Sequence, residues 1–299
     1  MMTELLYNSA ESVFRFIREI ALLLVPVKYY RRDSLDEKPI AFTAIIKAVR
    51  TKTHFLSKTH WVLRCTYGKE TRETYIFLKK DFDPKKPSIV FHHPSGETSH
   101  SFAANVILGG KLSAYCNIFL IKAQKHDSTK EFLEECVDSF LHHQLTFAGS
   151  ALAVEAIRRY HHARTKTKIV VTGASMGGIV SSLHAYFFGT ADYYFPLAAY
   201  PNVGEIFMGS SYRFGIDSWR VRRHNKTYLS SFDFKKPFPK GVTSRITPVL
   251  GRCDRIVPFD AAISFWKRNT VICRIYPFGH FTPAIVRHEI RQMISEQLL

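Results

Sequence analysis

Hydrophobic positions along the 299-residue chain change their period several times, and each change predicts an element. Between Ser9 and Leu24, the residues Val13, Phe14, Phe16, Ile17, Ile20 and Leu24 recur at helical spacing and predict an amphipathic helix with a broad apolar face. The charged stretch from Arg32 to Pro39 ends on proline and reads as a linker, after which Ala41 to Thr51 is open to a further helix. Trp61 to Tyr67 and Thr74 to Leu78 are rich in apolar and β-branched residues and flank Gly68-Lys69-Glu70, the pattern of a β-hairpin.

Beyond the turn Asp83-Pro84-Lys85-Lys86-Pro87, strand and helix patterns alternate, which is the signature of a parallel sheet covered on both faces. Strands are expected at Ser88 to His92, Asn117 to Ala123, Lys168 to Thr172, Tyr193 to Ala199, Arg245 to Leu250 and Val271 to Tyr276. Helices are expected at Ser128 to His143, with Ser128 and Thr129 placed to cap ahead of Glu131, and at Gly149 to His162, Met176 to Phe188, Ala261 to Arg268 and Ala284 to Gln297. The segment from Pro201 to Thr243 mixes aromatic and basic residues and is too long for a simple connection, so it is a candidate cap insertion. The pattern predicts an α/β fold with a mostly parallel central sheet: residues 1–60 form a helical extension and linker, and 61–299 the main domain.

Composition allows a sizeable core, since 46% of the residues are hydrophobic and only 22% charged. A net charge of +17 favours anionic partners. The basic residues fall in small scattered clusters such as Arg31-Arg32, Arg158-Arg159 and Lys235-Lys236, without a long basic run or a nucleic-acid module, which disfavours nucleic acid. The five cysteines are odd in number and contain no C-x-x-C pair, so reduced thiols in a cytoplasmic protein are expected. The apolar run Ile20 to Val27 is broken by Pro26 and is shorter than the ~20 residues that span a bilayer. The N-terminal helix either packs on the domain or, with its flanking Lys and Arg, contacts an anionic membrane surface.

Chemistry concentrates in Lys168-Ile169-Val170-Val171-Thr172-Gly173-Ala174-Ser175-Met176-Gly177-Gly178. A G-x-S-x-G between a strand and a small-residue helix places its serine on a sharp, strained turn, with the glycines removing side chains where strand and helix converge. The following helix start points backbone N–H groups at an oxyanion. No lysine stands in the P-loop position, which disfavours a nucleotide-binding turn. A serine hydroxyl needs a base and an orienting acid. Asp254 follows the strand ending Val249-Leu250-Gly251, and His280 follows Ile275-Tyr276-Pro277-Phe278-Gly279, giving the chain order Ser, Asp, His.

Together Gly173-Ala174-Ser175-Met176-Gly177-Gly178, Gly251-x-x-Asp254-x-Ile256-Val257-Pro258 and Gly279-His280 resemble the α/β-hydrolase superfamily, nearest its esterase, lipase and peptidase-like members. The resemblance covers the chain from about Ser88 onward and implies the fold and a catalytic triad of Ser175, His280 and Asp254, with no cofactor and no metal, but no particular substrate. Members often carry His-Gly where this chain has His93-Pro94, and proline has no N–H to donate. Ser95 is therefore the expected second oxyanion donor beside the Met176 N–H.

Glu205 is a rival for the acid. His92, His93 and His100 lack a carboxylate or cysteine at zinc-enzyme spacing, and His184, Asp192 and His288 read as packing or surface residues. The expected activity is hydrolysis of a small-molecule or lipid ester through an acyl-enzyme, falling in acid as the imidazole takes up a proton. Aromatic residues of the cap segment, such as Phe207, Tyr212 and Trp219, either cover an acyl pocket or belong to the core. An acyltransferase or thioesterase would use the same residues, and a non-catalytic hydrolase-fold scaffold remains the reading from another class.

Overall fold

The computed structural model describes residues 29–33, 40–216, 237–239 and 241–298, together with Ser9, Ser12, Val13, Ile17 and Phe232. Most of the expected N-terminal helix and much of the candidate cap, including Trp219, lie outside the described residues.

Among the described residues, nine strands form one sheet. They are β1 (Arg50–Phe55), β2 (His60–Tyr67), β3 (Glu70–Leu78), β4 (Ser88–His92), β5 (Asn117–Lys122), β6 (Ile169–Ala174), β7 (Tyr193–Leu197), β8 (Val249–Gly251) and β9 (Arg274–Tyr276), in the spatial order β1-β2-β3-β5-β4-β6-β7-β8-β9. The first three strands pair antiparallel, β3 also meets β5 antiparallel, and every later pairing is parallel. Burial follows this topology. Strands β4 and β6 are buried at every position, as a parallel sheet covered on both faces requires, whereas β3 alternates and β1 is largely exposed.

Among the described residues, the sheet is flanked by the helices α1 (Phe42–Ala48), α2 (Phe102–Tyr115), α3 (Phe140–His162), α4 (Met176–Phe187), α5 (Val203–Gly209), α6 (Phe259–Arg268) and α7 (Arg287–Leu298). One face packs Ile45 of α1, Val154 of α3, Leu183 of α4 and Trp266 of α6 against Trp61, Phe119 and Val171 of the sheet. The opposite face packs Ile107 and Leu108 of α2 and Ile290 and Ile294 of α7 against Ile89, Phe91 and Val170. The result is the predicted helix–sheet–helix sandwich.

Several expectations on the elements need correction. The sheet begins at Arg50, ahead of the expected boundary at residue 61, because the polar edge strand β1 pairs with β2 from Arg50↔Thr66 to Phe55↔Trp61. The expected helix 128–143 is instead a turn at Thr129–Glu131 running into a π-helical turn at Phe132–Cys136, and α3 starts afresh where the Ser139 hydroxyl accepts from the His142 N–H. That helix passes unbroken through Gly149, where a β-carbon would strike the Gln124 amide and the Thr74 hydroxyl, so this glycine serves close packing. Around Arg245 the chain makes a 3-10 turn, Thr243–Arg245, rather than a strand, and β8 is confined to Val249–Gly251. Helix α2 carries no clean period in the sequence, since Gly109 breaks it with φ 66° and ψ −175°.

Candidate active site

Strand β6 and helix α4 bracket Ser175, which sits at φ 53° and ψ −114°, a left-handed conformation that costs a side chain of this kind about 1–3 kcal/mol. Sheet bonds continue up to this residue, with the Ser175 N–H donating to the Leu197 carbonyl at 2.9 Å. On the other side, the Ser175 carbonyl accepts from the Ile179 N–H at 2.9 Å and opens the helix. The turn can close because Gly173 and Gly177 both pack on the main-chain carbonyl of His92, leaving no room for a β-carbon at either position.

His280 and Asp254 reach the serine from neighbouring loops. The Arg252 N–H donates to the Tyr276 carbonyl at 2.8 Å and the Cys253 N–H to the Phe278 carbonyl at 3.1 Å, so the loops after β8 and β9 are bonded side by side. Asp254 Oδ1 accepts from the N–H groups of Ile256 at 2.9 Å and Val257 at 2.8 Å, which fixes the carboxylate. Its Oδ2 lies 2.9 Å from His280 Nδ1, and His280 Nε2 lies 2.9 Å from Ser175 Oγ. A carboxylate only accepts, so the His280 proton sits on Nδ1 and leaves Nε2 to accept from the serine hydroxyl. Asp254 and His280 are buried, while Ser175 is partly open. The three residues singled out in the sequence thus form one continuous hydrogen-bonded chain.

The loop leaving β4 supplies the remaining wall. His93 Nε2 accepts from the Ala123 N–H at 3.0 Å, which assigns its proton to Nδ1, and that N–H donates to the Pro94 carbonyl at 2.7 Å. Burial holds the His93 imidazole well below its ordinary pKa, so the ring is neutral and acts as a fixed strut for the loop. Ser95, the next residue but one, lines the same small cavity as Ser175 and Met176. This support by His93 has no signature in the local sequence, because its partner is a backbone group thirty residues away.

Two hollows meet at Ser175. One, of about 570 Å³, is bounded by His280, Phe281, Phe102, Val106, Ile107 and Phe132 among others. The second, of about 20 Å³, lies among Phe147, Met176, Ile179, Phe207, Tyr212 and Val257. Phe207 and Tyr212 come from the candidate cap segment and stack on one another at the site.

The amino-acid sequence matches no family model and no curated protein. Its structure does find counterparts. Acetyl xylan esterase 1 from Thermoanaerobacterium sp. JW/SL YS485 superposes with a TM-score of 0.58 at 13% identity, covering 88% of this chain and 96% of that one. An acetyl xylan esterase from Paenibacillus sp. R4 gives 0.57 at 12% identity over 88% and 98%, and a putative hydrolase from Agrobacterium vitis S4 gives 0.54 at 11% over 84% and 100%. The chain has the α/β-hydrolase fold.

Within this α/β-hydrolase fold, the rival residues fall elsewhere. Glu205 is exposed on α5, where it accepts from the Asn202 amide at 3.1 Å, and it does not orient His280. His92 is buried, with Nδ1–H donating to the His93 carbonyl at 2.8 Å and Nε2 2.9 Å from the Ser150 hydroxyl. His184 lies inside α4 against Glu155 and Tyr194, Asp192 accepts from the Ile169 N–H, and His288 is exposed. No group of three metal-ligating side chains gathers among the described residues, and no described helix is long and apolar enough to cross a membrane.

Proposed function

We propose that the protein is a serine hydrolase that cleaves a carboxylic ester through an acyl-enzyme, with Ser175 as nucleophile, His280 as base and Asp254 as orienting acid. The observation that carries this reading is the unbroken chain Asp254 Oδ2, His280 Nδ1, His280 Nε2 and Ser175 Oγ, with both links at 2.9 Å and the serine on a strained turn. A structural serine gains nothing from such a turn. Two of the proteins that share the fold are esterases, in keeping with this chemistry.

In the reaction, His280 Nε2 takes the Ser175 proton as Oγ bonds to the carbonyl carbon. The carbonyl oxygen becomes an oxyanion at the start of α4, held by the N–H groups of Met176 and Ser95. Collapse breaks the bond to the alkoxy oxygen, which leaves with the proton from His280. Water then attacks the acyl-enzyme with the same base and releases the acid. A fluorophosphonate probe tests the nucleophile: labelling at Ser175, absent in Ser175→Ala together with hydrolysis of p-nitrophenyl acetate, is the expected result. Full esterase activity in Ser175→Ala would refute it.

A further inference from the structure

The two hollows at Ser175 differ in volume by more than an order of magnitude, and the position of the base decides which part of an ester each receives. The leaving oxygen must take its proton from His280 Nε2, so the group attached to that oxygen lies on the His280 side of the serine. His280 and the residues that follow it, Phe281, Pro283 and Ala284, bound the large hollow. The small hollow has Met176 in its wall and His280 is not part of it, while Ser95 borders both hollows. The substituent on the carbonyl carbon therefore points into the small one.

We infer, on the footing of the ester-hydrolase reading, that the site accepts an acetyl group and releases a bulky, apolar alcohol. A cavity of about 20 Å³ has room for a single water-sized group, which is about one methyl. Its walls do not yield easily: Ile206 is 1% exposed, Phe147 2% and Phe207 7%. Phe207 is further held by rings on several sides, stacking on Tyr212 at 4.4 Å and meeting His143 edge-on at 4.6 Å. The lining of the small hollow is otherwise apolar apart from Ser95, Ser175, the Tyr212 ring and His143, and burial keeps the His143 imidazole neutral. Among the described residues, none in that lining is charged to receive an acyl group ending in a carboxylate, such as succinyl. On the alcohol side, Phe102 is 68% exposed and Phe281 48% exposed, which gives the large hollow an apolar wall open to an incoming apolar group.

The test is a chain-length series of p-nitrophenyl esters on the full chain, alongside fluorophosphonate labelling. Acetate is expected to exceed butyrate in kcat/KM by roughly tenfold or more, with octanoate lower still, as extra methylenes are forced into a packed site. Phe207→Ala and the milder Val257→Ala are each expected to narrow the gap between acetate and butyrate. With unactivated alcohols, cyclohexyl acetate is expected to show a lower KM than ethyl acetate. Failure to label Ser175 would remove the ester-hydrolase reading and this inference with it. Labelling of Ser175 without an acetate preference, or a preference unmoved in both variants, would overturn the acyl-size inference alone.

Discussion

Gly177 packs so tightly on the main-chain carbonyl of His92 that a β-carbon there would collide with the oxygen, stand 2.7 Å from the carbonyl carbon and approach the His92 Cβ to 3.2 Å. The carbonyl cannot retreat, because His92 is the last residue of β4 and is paired on both sides, with Ile121 and with Gly173. Gly177→Ala is therefore expected to destabilise the protein by roughly 1–3 kcal/mol and to shift Ser175 away from His280. Thermal unfolding together with the rate of fluorophosphonate labelling checks both parts. A variant that kept wild-type melting and labelling would show that the close approach is not what shapes the turn.

Asp254→Asn separates charge from shape. The Asn Oδ1 can still accept from the Ile256 and Val257 N–H groups, so the loop keeps its form, but an amide NH2 now faces His280 Nδ1. The imidazole then prefers its proton on Nε2 and cannot take one from Ser175. A loss of about 10⁴-fold in kcat is expected, the size seen when an orienting carboxylate becomes an amide. Stability should change little, as denaturant titration would report. A loss below tenfold would mean that Asp254 does not set the tautomer.

Legibility followed locality. The elbow at Ser175 could be read because a strand, five residues and a helix start carry it, and Asp254 and His280 could be read because both follow strand ends in chain order. Helix α2 escaped notice because Gly109-Gly110 interrupts its period. The interruption is held by Arg291, 184 residues away in sequence from Ile107. Likewise Gly149 suggests a helix start when seen alone, and only the nearby Gln124 and Thr74 explain why α3 needs a glycine there. Strand β1 is polar because it is an edge, so it lacks the apolar signature of the strands inside the sheet. The hollows are assembled from α2, α3, α4, α5 and the loops that follow β4, β8 and β9, a product of topology that no segment announces.

The Arg291 contact gives a further prediction. Its Nε–H donates to the Ile107 carbonyl at 2.8 Å and its Nη2–H to the Val106 carbonyl at 2.7 Å, next to the break at Gly109. Val106 and Ile107 also bound the large hollow. Arg291→Met removes both donors while keeping most of the side-chain volume, and a destabilisation of about 1.5–3 kcal/mol is expected for bonds from a charged donor. Under the proposed function, KM for bulky acetates should rise more than kcat falls, since the wall loosens while the triad stays in place. Equal kinetics in both proteins would show that this wall does not touch the substrate.

Acid should unfold the protein before it protonates the bulk of its carboxylates. Burial pushes the His92 and His143 imidazoles down to about 3 each, although the His93 carbonyl partly supports the His92 ring as a hydrogen-bond acceptor. In the unfolded chain an imidazole takes up its proton near ~6.5. Between those values the unfolded state binds more protons than the native state, so their contribution to stability is fully present above about 6.5 and is lost as the pH falls toward 3. At about 1.4 kcal/mol for each pH step, two such groups remove several kcal/mol from a total that is typically about 5–15. His184 and His161 are also lowered by burial and act in the same direction. Urea midpoints measured from pH 7.5 to 4.5 should fall steadily once the pH drops below about 6.5. His143→Gln cannot titrate yet can still accept from the Tyr30 hydroxyl, and it should fall less steeply. A midpoint flat across that window would mean that the buried rings take up protons in the folded state as readily as in the unfolded chain.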